Sequence, residues 1–110
     1  MSMSEKSPEY QVSSVPQTLH AFITRPCSNL WESGDYQPPS PLEIRALRRL
    51  MGWSQTDVAK IVGASWNHKG SSSVRKWETA TDKPEHRKIP YAAWRLLLLH
   101  SGVVELEQCI

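Results

Sequence analysis

The sequence predicts an all-α fold, a compact bundle of four to five helices behind an irregular N-terminal extension. Three observations carry that prediction. From residue 41 onward apolar residues recur at helical spacing, as in Ile44, Leu47, Leu50 and Met51. The helical runs open at capping serines such as Ser40 and Ser54 and stop at glycines, Gly52, Gly63 and Gly102. Before residue 41 the chain is polar and repeatedly broken by proline, which keeps much of it outside a regular core. At 110 residues with 39% hydrophobic and 22% charged side chains, the chain can build one small domain and hardly two. The expected organisation is a partly disordered extension over 1–40, a helical domain over 41–102 and a tail over 103–110.

Met1 to Ser14 lacks periodicity and reads as a disordered tail. Over Val15 to Arg25, Leu19, Phe22 and Ile23 fit a short helix begun by Pro16 and ended by Pro26, with a strand through Ala21 to Thr24 as the alternative. Residues 26–41 form a linker that Leu30, Trp31 and Tyr36 anchor to the core. Ser40, Pro41 and Glu43 supply the cap, first position and favourable dipole charge of the next helix, whose Arg45, Arg48 and Arg49 face outward. Ser54 and Asp57 resemble a capping box for a second helix, in which Val58, Ala59, Ile61 and Val62 are the buried face and small Ala59 permits a close helix crossing. After a turn through Ala64 to Gly70, Ser71 or Ser72 caps a third helix with Val74 and Trp77 inside and Arg75 and Lys76 outside. The second and third helices together read as a helix-turn-helix. A polar loop over Thr79 to Lys88 leads to a last helix, Tyr91 to His100, stopped by Gly102.

That last helix is apolar almost all round. Tyr91, Trp94, Leu97 and Leu98 fill one face, and Leu96 and Leu99 much of another, so it must be buried on two sides. A second subunit is the economical cover, with Trp94, Leu96 and Leu99 at the contact and Val103, Val104, Leu106 and Ile110 extending it.

The formal net charge of +2 hides a separation. Residues 41–100 hold 11 Lys and Arg against 5 Asp and Glu, and the remainder holds 2 against 6. A basic domain between acidic flanks suits a polyanionic partner, the plainer reading being a solvated cationic face. Cys27 and Cys109 have no spacing that suggests zinc, and the first 15 residues have no apolar run of a signal peptide. The expectation is a cytoplasmic protein with free thiols and no cofactor. His20, His86 and His100 show no catalytic pairing, and no Gly-rich phosphate loop, nucleophile elbow or paired carboxylates are visible, so an enzyme is not expected.

Leu47, then Leu50-Met51-Gly52-Trp53-Ser54-Gln55-Thr56-Asp57-Val58-Ala59, then Val62-Gly63, then Ser73-Val74-Arg75-Lys76-Trp77-Glu78, resemble the lambda-repressor-like, or XRE, helix-turn-helix family. The resemblance spans about residues 41–100, and departs at the turn, which is about five residues longer than the family's. It implies sequence-specific binding of double-stranded DNA by a homodimer on a palindromic operator, commonly as an autoregulatory repressor of phage or plasmid type, with the third helix in the major groove. Gln55 would then bond a phosphate and buttress the recognition helix, or act as a second cap. Ser71, Ser72 and Ser73 would meet base edges or phosphate, Arg75 and Lys76 would reach further, and His68 and Lys69 in the enlarged turn would reach phosphate or an adjacent base. Glu78 reads as a helix-end or ion-pair residue, and Trp66 as either a plug over the turn or an exposed tip. The competing readings are an antitoxin whose extension or tail covers a toxin, and a protein-interaction module working through the last helix.

Overall fold

The computed structural model describes residues 15–105, and among them the secondary structure is helical with no strand. Helix α1 (Leu19–Phe22) is four residues long and starts at Thr18, whose hydroxyl accepts from the Ala21 amide at 3.2 Å. The helix therefore starts at Leu19 behind the cap Thr18 and not at Pro16, and Ile23 ends half exposed outside it. The strand alternative through Ala21 to Thr24 does not form. Two 3-10 turns follow, Pro26–Ser28 and Trp31–Ser33, the second closed by Gly34 at φ 84°.

Helix α2 (Pro41–Leu50) carries a full capping box. The Glu43 amide donates to the Ser40 hydroxyl at 3.1 Å, and the Ser40 amide donates to the Glu43 carboxylate at 2.8 Å. Helix α3 (Gln55–Val62) repeats the device with Ser54 and Asp57 at 2.9 and 3.0 Å. These bonds to the ionised form hold the Asp57 carboxyl below its usual range. Gly63 ends α3 at φ 80°, a left-handed conformation that a side chain strains. Helix α4 (Ser72–Trp77) is capped by Ser71, and helix α5 (Tyr91–Ser101) runs from Pro90 to Gly102.

Helix α3 packs on both α4 and α5. Ala59, fully buried, is the small residue at this junction. The core joins Ile44 and Leu47 of α2, Val58 and Ala59 of α3, Val74 and Trp77 of α4, and Ala93, Trp94, Leu97 and Leu98 of α5. Each large apolar side chain so buried contributes roughly 1.5–3 kcal/mol. Phe22 and Cys27 belong to the same cluster, so the extension from residue 15 is folded into the domain rather than tethered beside it. The disordered tail expected over residues 1–14 lies outside the described residues, as do Leu106, Cys109 and Ile110.

The second cover of α5 is this chain's own N-terminal segment. Phe22 packs on Trp94 with ring centroids 6.3 Å apart, and the Trp94 indole N–H donates to the Cys27 carbonyl at 2.8 Å. Arg95, 7% exposed, donates to the Ser28 and Asn29 carbonyls at 2.9 and 3.1 Å. Tyr91 accepts from the Trp31 amide at 3.0 Å and sits edge-on to Trp31 and Tyr36. Of the expected linker anchors, Tyr36 packs against the core, while Trp31 is exposed and reaches α5 through its backbone amide and its ring contact with Tyr91.

This arrangement corrects the expected subunit contact. Trp94 is 0% exposed and lies in the core of its own chain, not at a surface another copy can reach. Val103 and Val104 are likewise buried, because the Val103 amide bonds back to the Leu98 carbonyl and folds the chain onto the core. Leu96 remains exposed and Leu99 partly so.

Candidate nucleic-acid interface

The site is built on one buried carboxylate. Glu78 follows α4 directly, and its side chain is 2% exposed. Arg48 of α2 grips it in a fork, Nε to Oε2 at 2.6 Å and Nη2 to Oε1 at 3.0 Å, and donates a third bond to the Trp53 carbonyl at 3.3 Å. Gln55, the first residue of α3, donates its amide to Glu78 Oε1 at 3.1 Å, and Arg45 Nε stands 3.6 Å from the same oxygen. Three helices therefore meet at one charge. A carboxylate this buried is held only while such partners surround it, so the contact fixes the end of α4 against α2 and the start of α3.

That geometry corrects the outward assignment of the arginines. Arg48 is turned inward and committed to Glu78, and Arg45 leans on it, while Arg49 is exposed. Glu78 is the ion-pair residue anticipated, though one serving α2 and α3 as well as its own helix. Gln55, expected at a phosphate and against the next helix, reaches the end of α4 through Glu78.

Along α4 the expected contact residues separate by burial. Ser71 is 3% exposed and its hydroxyl accepts from the Val74 amide at 3.3 Å, so it caps the helix from inside and does not lie on the accessible face. Ser72 and Arg75 are exposed, and Ser73 and Lys76 are half-buried. Val74 and Trp77 point into the core. The end of α4 is laced to the following loop: the Lys76 carbonyl accepts from the Arg87 amide at 3.1 Å, and the Thr79 carbonyl accepts from His86 Nδ1 at 2.8 Å.

Between α3 and α4 the enlarged turn is ordered. Asn67 and Gly70 exchange two backbone bonds of 2.9 Å each, and the Asn67 side chain accepts from the Lys69 amide at 2.8 Å. His68 and Lys69 form the exposed tip. Trp66, 51% exposed, is no plug; Lys60 of α3 lies over its ring at 4.7 Å.

Sequence reasoning missed two arginines that hold the scaffold together. Arg95 stands within Trp94-Arg95-Leu96-Leu97-Leu98-Leu99, and a cation inside an apolar run signals a buried polar partner. Arg25 donates to Glu43 Oε2 at 2.9 Å, tying the N-terminal segment to the α2 capping box. Beside this pair lies Cys27, whose thiol burial and the Glu43 carboxylate push from 9.0 up to about 12. Among the described residues no group of three or more His, Cys, Asp and Glu could hold a metal ion, and no helix is long and apolar enough to cross a membrane.

Fold and site define a small all-α protein with an exposed basic helix locked to its core through a buried glutamate. No protein-family model matches the chain. Two curated relatives do: a transcriptional repressor protein KorC from Escherichia coli is 38% identical over 65 residues, covering 59% of this chain and 68% of the relative. Another KorC from the same organism is 37% identical over the same shares. The chain belongs to the family of the KorC transcriptional repressor proteins.

Proposed function

We propose that the protein is a transcriptional repressor that binds a specific double-stranded DNA sequence through a helix-turn-helix made of α3 and α4, of the lambda-repressor-like kind its sequence resembles. The observation that carries this reading is the division of α4. Val74, Trp77 and Glu78 lock one side to the core, and Ser72, Arg75 and Lys76 remain available on the other. A short helix held rigidly while offering cations outward is what groove reading requires. Membership in a family of repressors supports the same output.

In this reading Arg75 takes a guanine edge, Lys76 and Ser73 meet the backbone or neighbouring bases, and Gln55 positions α4 through Glu78. The operator is a palindrome bound by a homodimer, with exposed Leu96 and part-exposed Leu99 at the contact in place of Trp94. A mobility-shift titration with DNA upstream of the protein's own gene, against scrambled duplex, tests the reading. The expected result is a preference for the upstream DNA that Arg75→Ala/Lys76→Ala removes. Equal, weak binding by both chains to both duplexes would refute it. Sedimentation of wild type and Leu96→Asp tests the dimer, the variant being expected to sediment as a monomer.

A further inference from the structure

The turn between α3 and α4 is more ordered and more basic than a connection needs to be. From Val58 to Trp77 the chain carries Lys60, Lys69, Arg75, Lys76 and His68 and no acidic residue. The turn's tip is fixed by two reciprocal backbone bonds and by the Asn67 side chain, with Gly70 at φ 120°. Its base is fixed by the Trp66 ring under the Lys60 ammonium. Chain length alone keeps Lys69 close to α4, since the cap Ser71 lies two positions on, with only Gly70 between, and two steps of chain span at most about 7 Å.

We propose that this turn is a second DNA-contacting element, distinct from α4, in which Lys69 with His68 beside it engages a backbone phosphate flanking the groove that α4 reads. This rests on the helix-turn-helix reading above and goes beyond it by assigning the enlarged turn a separate job. A flexible lysine would give up its freedom on meeting phosphate. Here the backbone carrying it is already ordered, so the contact costs less to form. The bond supplies affinity and register, not base preference, because phosphate is the same at every step. Lys60 neutralises no phosphate in this scheme; it stiffens the base of the turn through Trp66.

The test uses the full chain and a duplex that wild type selects from a randomised library, with a scrambled duplex beside it. Affinities are measured over a series of salt concentrations for wild type, Lys69→Ala, Arg75→Ala and Lys83→Ala, the last removing an exposed lysine from the loop after α4. Lys69→Ala is expected to weaken binding to both duplexes by a similar factor and to lower the slope of log affinity against log salt by about 0.9, one phosphate contact. Lys83→Ala is expected to leave the slope unchanged. Arg75→Ala is expected to erase the preference for the selected duplex. Asn67→Ala, which keeps the charge and loosens the tip, is expected to weaken binding without lowering the melting temperature of the free protein. An unchanged slope for Lys69→Ala, or an equal fall for Lys69→Ala and Lys83→Ala, overturns the proposal while an Arg75 effect leaves the reading of α4 standing. Failure to select any duplex overturns both.

Discussion

Two sides of this small protein use the same residue types to opposite ends. On the side formed by α5 and the N-terminal segment, tryptophan and arginine are consumed internally: Trp94 is fully buried and bonded to Cys27, and Arg95 is spent on the carbonyls of Ser28 and Asn29. On the side formed by α3, the turn and α4, Trp66 is half exposed and Arg75 stands free of the core. The lesson is that residue type says little about role here; what decides is whether a carbonyl or carboxylate of the same chain waits opposite. Between the two sides sits Glu78, which draws Arg48 inward and so converts a surface cation into a scaffold element.

Truncation should be most damaging on the α5 side. Trp94→Ala removes the largest fully buried side chain and leaves the Cys27 carbonyl without its donor. Loss of about 4 kcal/mol of unfolding free energy is expected by chemical denaturation, with broad loss of structure at physiological temperature. A loss under about 1 kcal/mol would mean that Trp94 faces solvent or a partner, and would restore the subunit contact first expected for it.

The junction should come next. Glu78→Ala leaves Arg48 inward-facing and unpaired, and about 3 kcal/mol of stability should go with it. Glu78→Gln retains acceptor oxygen and shape and should cost less, and Arg48→Ala should resemble Glu78→Ala. If the double variant Glu78→Ala/Arg48→Ala is as damaging as the two singles summed, the residues do not act as a pair.

The alkaline limb of stability probes the same internal side by a different route. The Cys27 thiol is raised from 9.0 to about 12, first by burial and then by Glu43, and the Tyr36 phenol from 10.0 to about 12, chiefly by burial. The folded chain keeps these protons where the unfolded chain releases them, so their contribution is complete below the unfolded values and declines as pH rises from 9.0 toward 12. Denaturation midpoints measured across that range should fall, and Cys27→Ala should delay the onset toward the 10.0 at which Tyr36 takes over. A flat profile in wild type would show that the thiol is not enclosed.

How much of this division was legible beforehand follows from the range of the forces involved. Caps, stops and the centres of the inner faces are local: Ser40 with Glu43, Ser54 with Asp57, and Gly63 each act within a turn of helix, and the structure keeps them, although Leu50 of the expected α2 stripe is exposed where the helix runs out over solvent. The turn at Asn67 to Gly70 is closed by its own residues, but the fates of Arg48, Arg95 and Trp94 depend on partners far along the chain. Arg48 lies 30 residues from Glu78 and Trp94 lies 67 from Cys27. Helical periodicity finds an apolar face but does not say whether another molecule or the same chain covers it. That is why the last helix suggested a second subunit over Trp94 when the chain's own N-terminal segment covers that residue. The exposed set of α4 was readable because Val74 and Trp77 fix the rotation of a short helix, leaving Ser72 and Arg75 no inner position.

On the exposed side, effects should fall on recognition and not on folding. Arg75→Ala should change stability by no more than about 0.5 kcal/mol. It should cost about 2 kcal/mol of discrimination between a target duplex and one altered at a single guanine. Measured together by denaturation and competition binding, the two numbers separate a reading residue from a scaffold residue. Arg48→Ala should show the reverse pattern, a large stability loss with weakened binding to all duplexes alike.

The finest cut through the comparison sets Trp66 against Trp94. Both are indoles with a polar or cationic neighbour, yet the Trp66 ring is 51% exposed and held by one ammonium at 4.7 Å, whereas the other is enclosed on every side. A cation over an exposed ring is worth roughly 0.5–1 kcal/mol, and half-exposed apolar area adds little that an alanine would forfeit. Trp66→Ala should therefore lower stability by less than about 1 kcal/mol, and Lys60→Ala by a similar or smaller amount. The double variant should cost no more than the larger single one, since either change ends the same contact. A loss for Trp66→Ala approaching that of Trp94→Ala would place the turn inside the cooperative core, and the separation of the two sides would then fail where it is most easily measured.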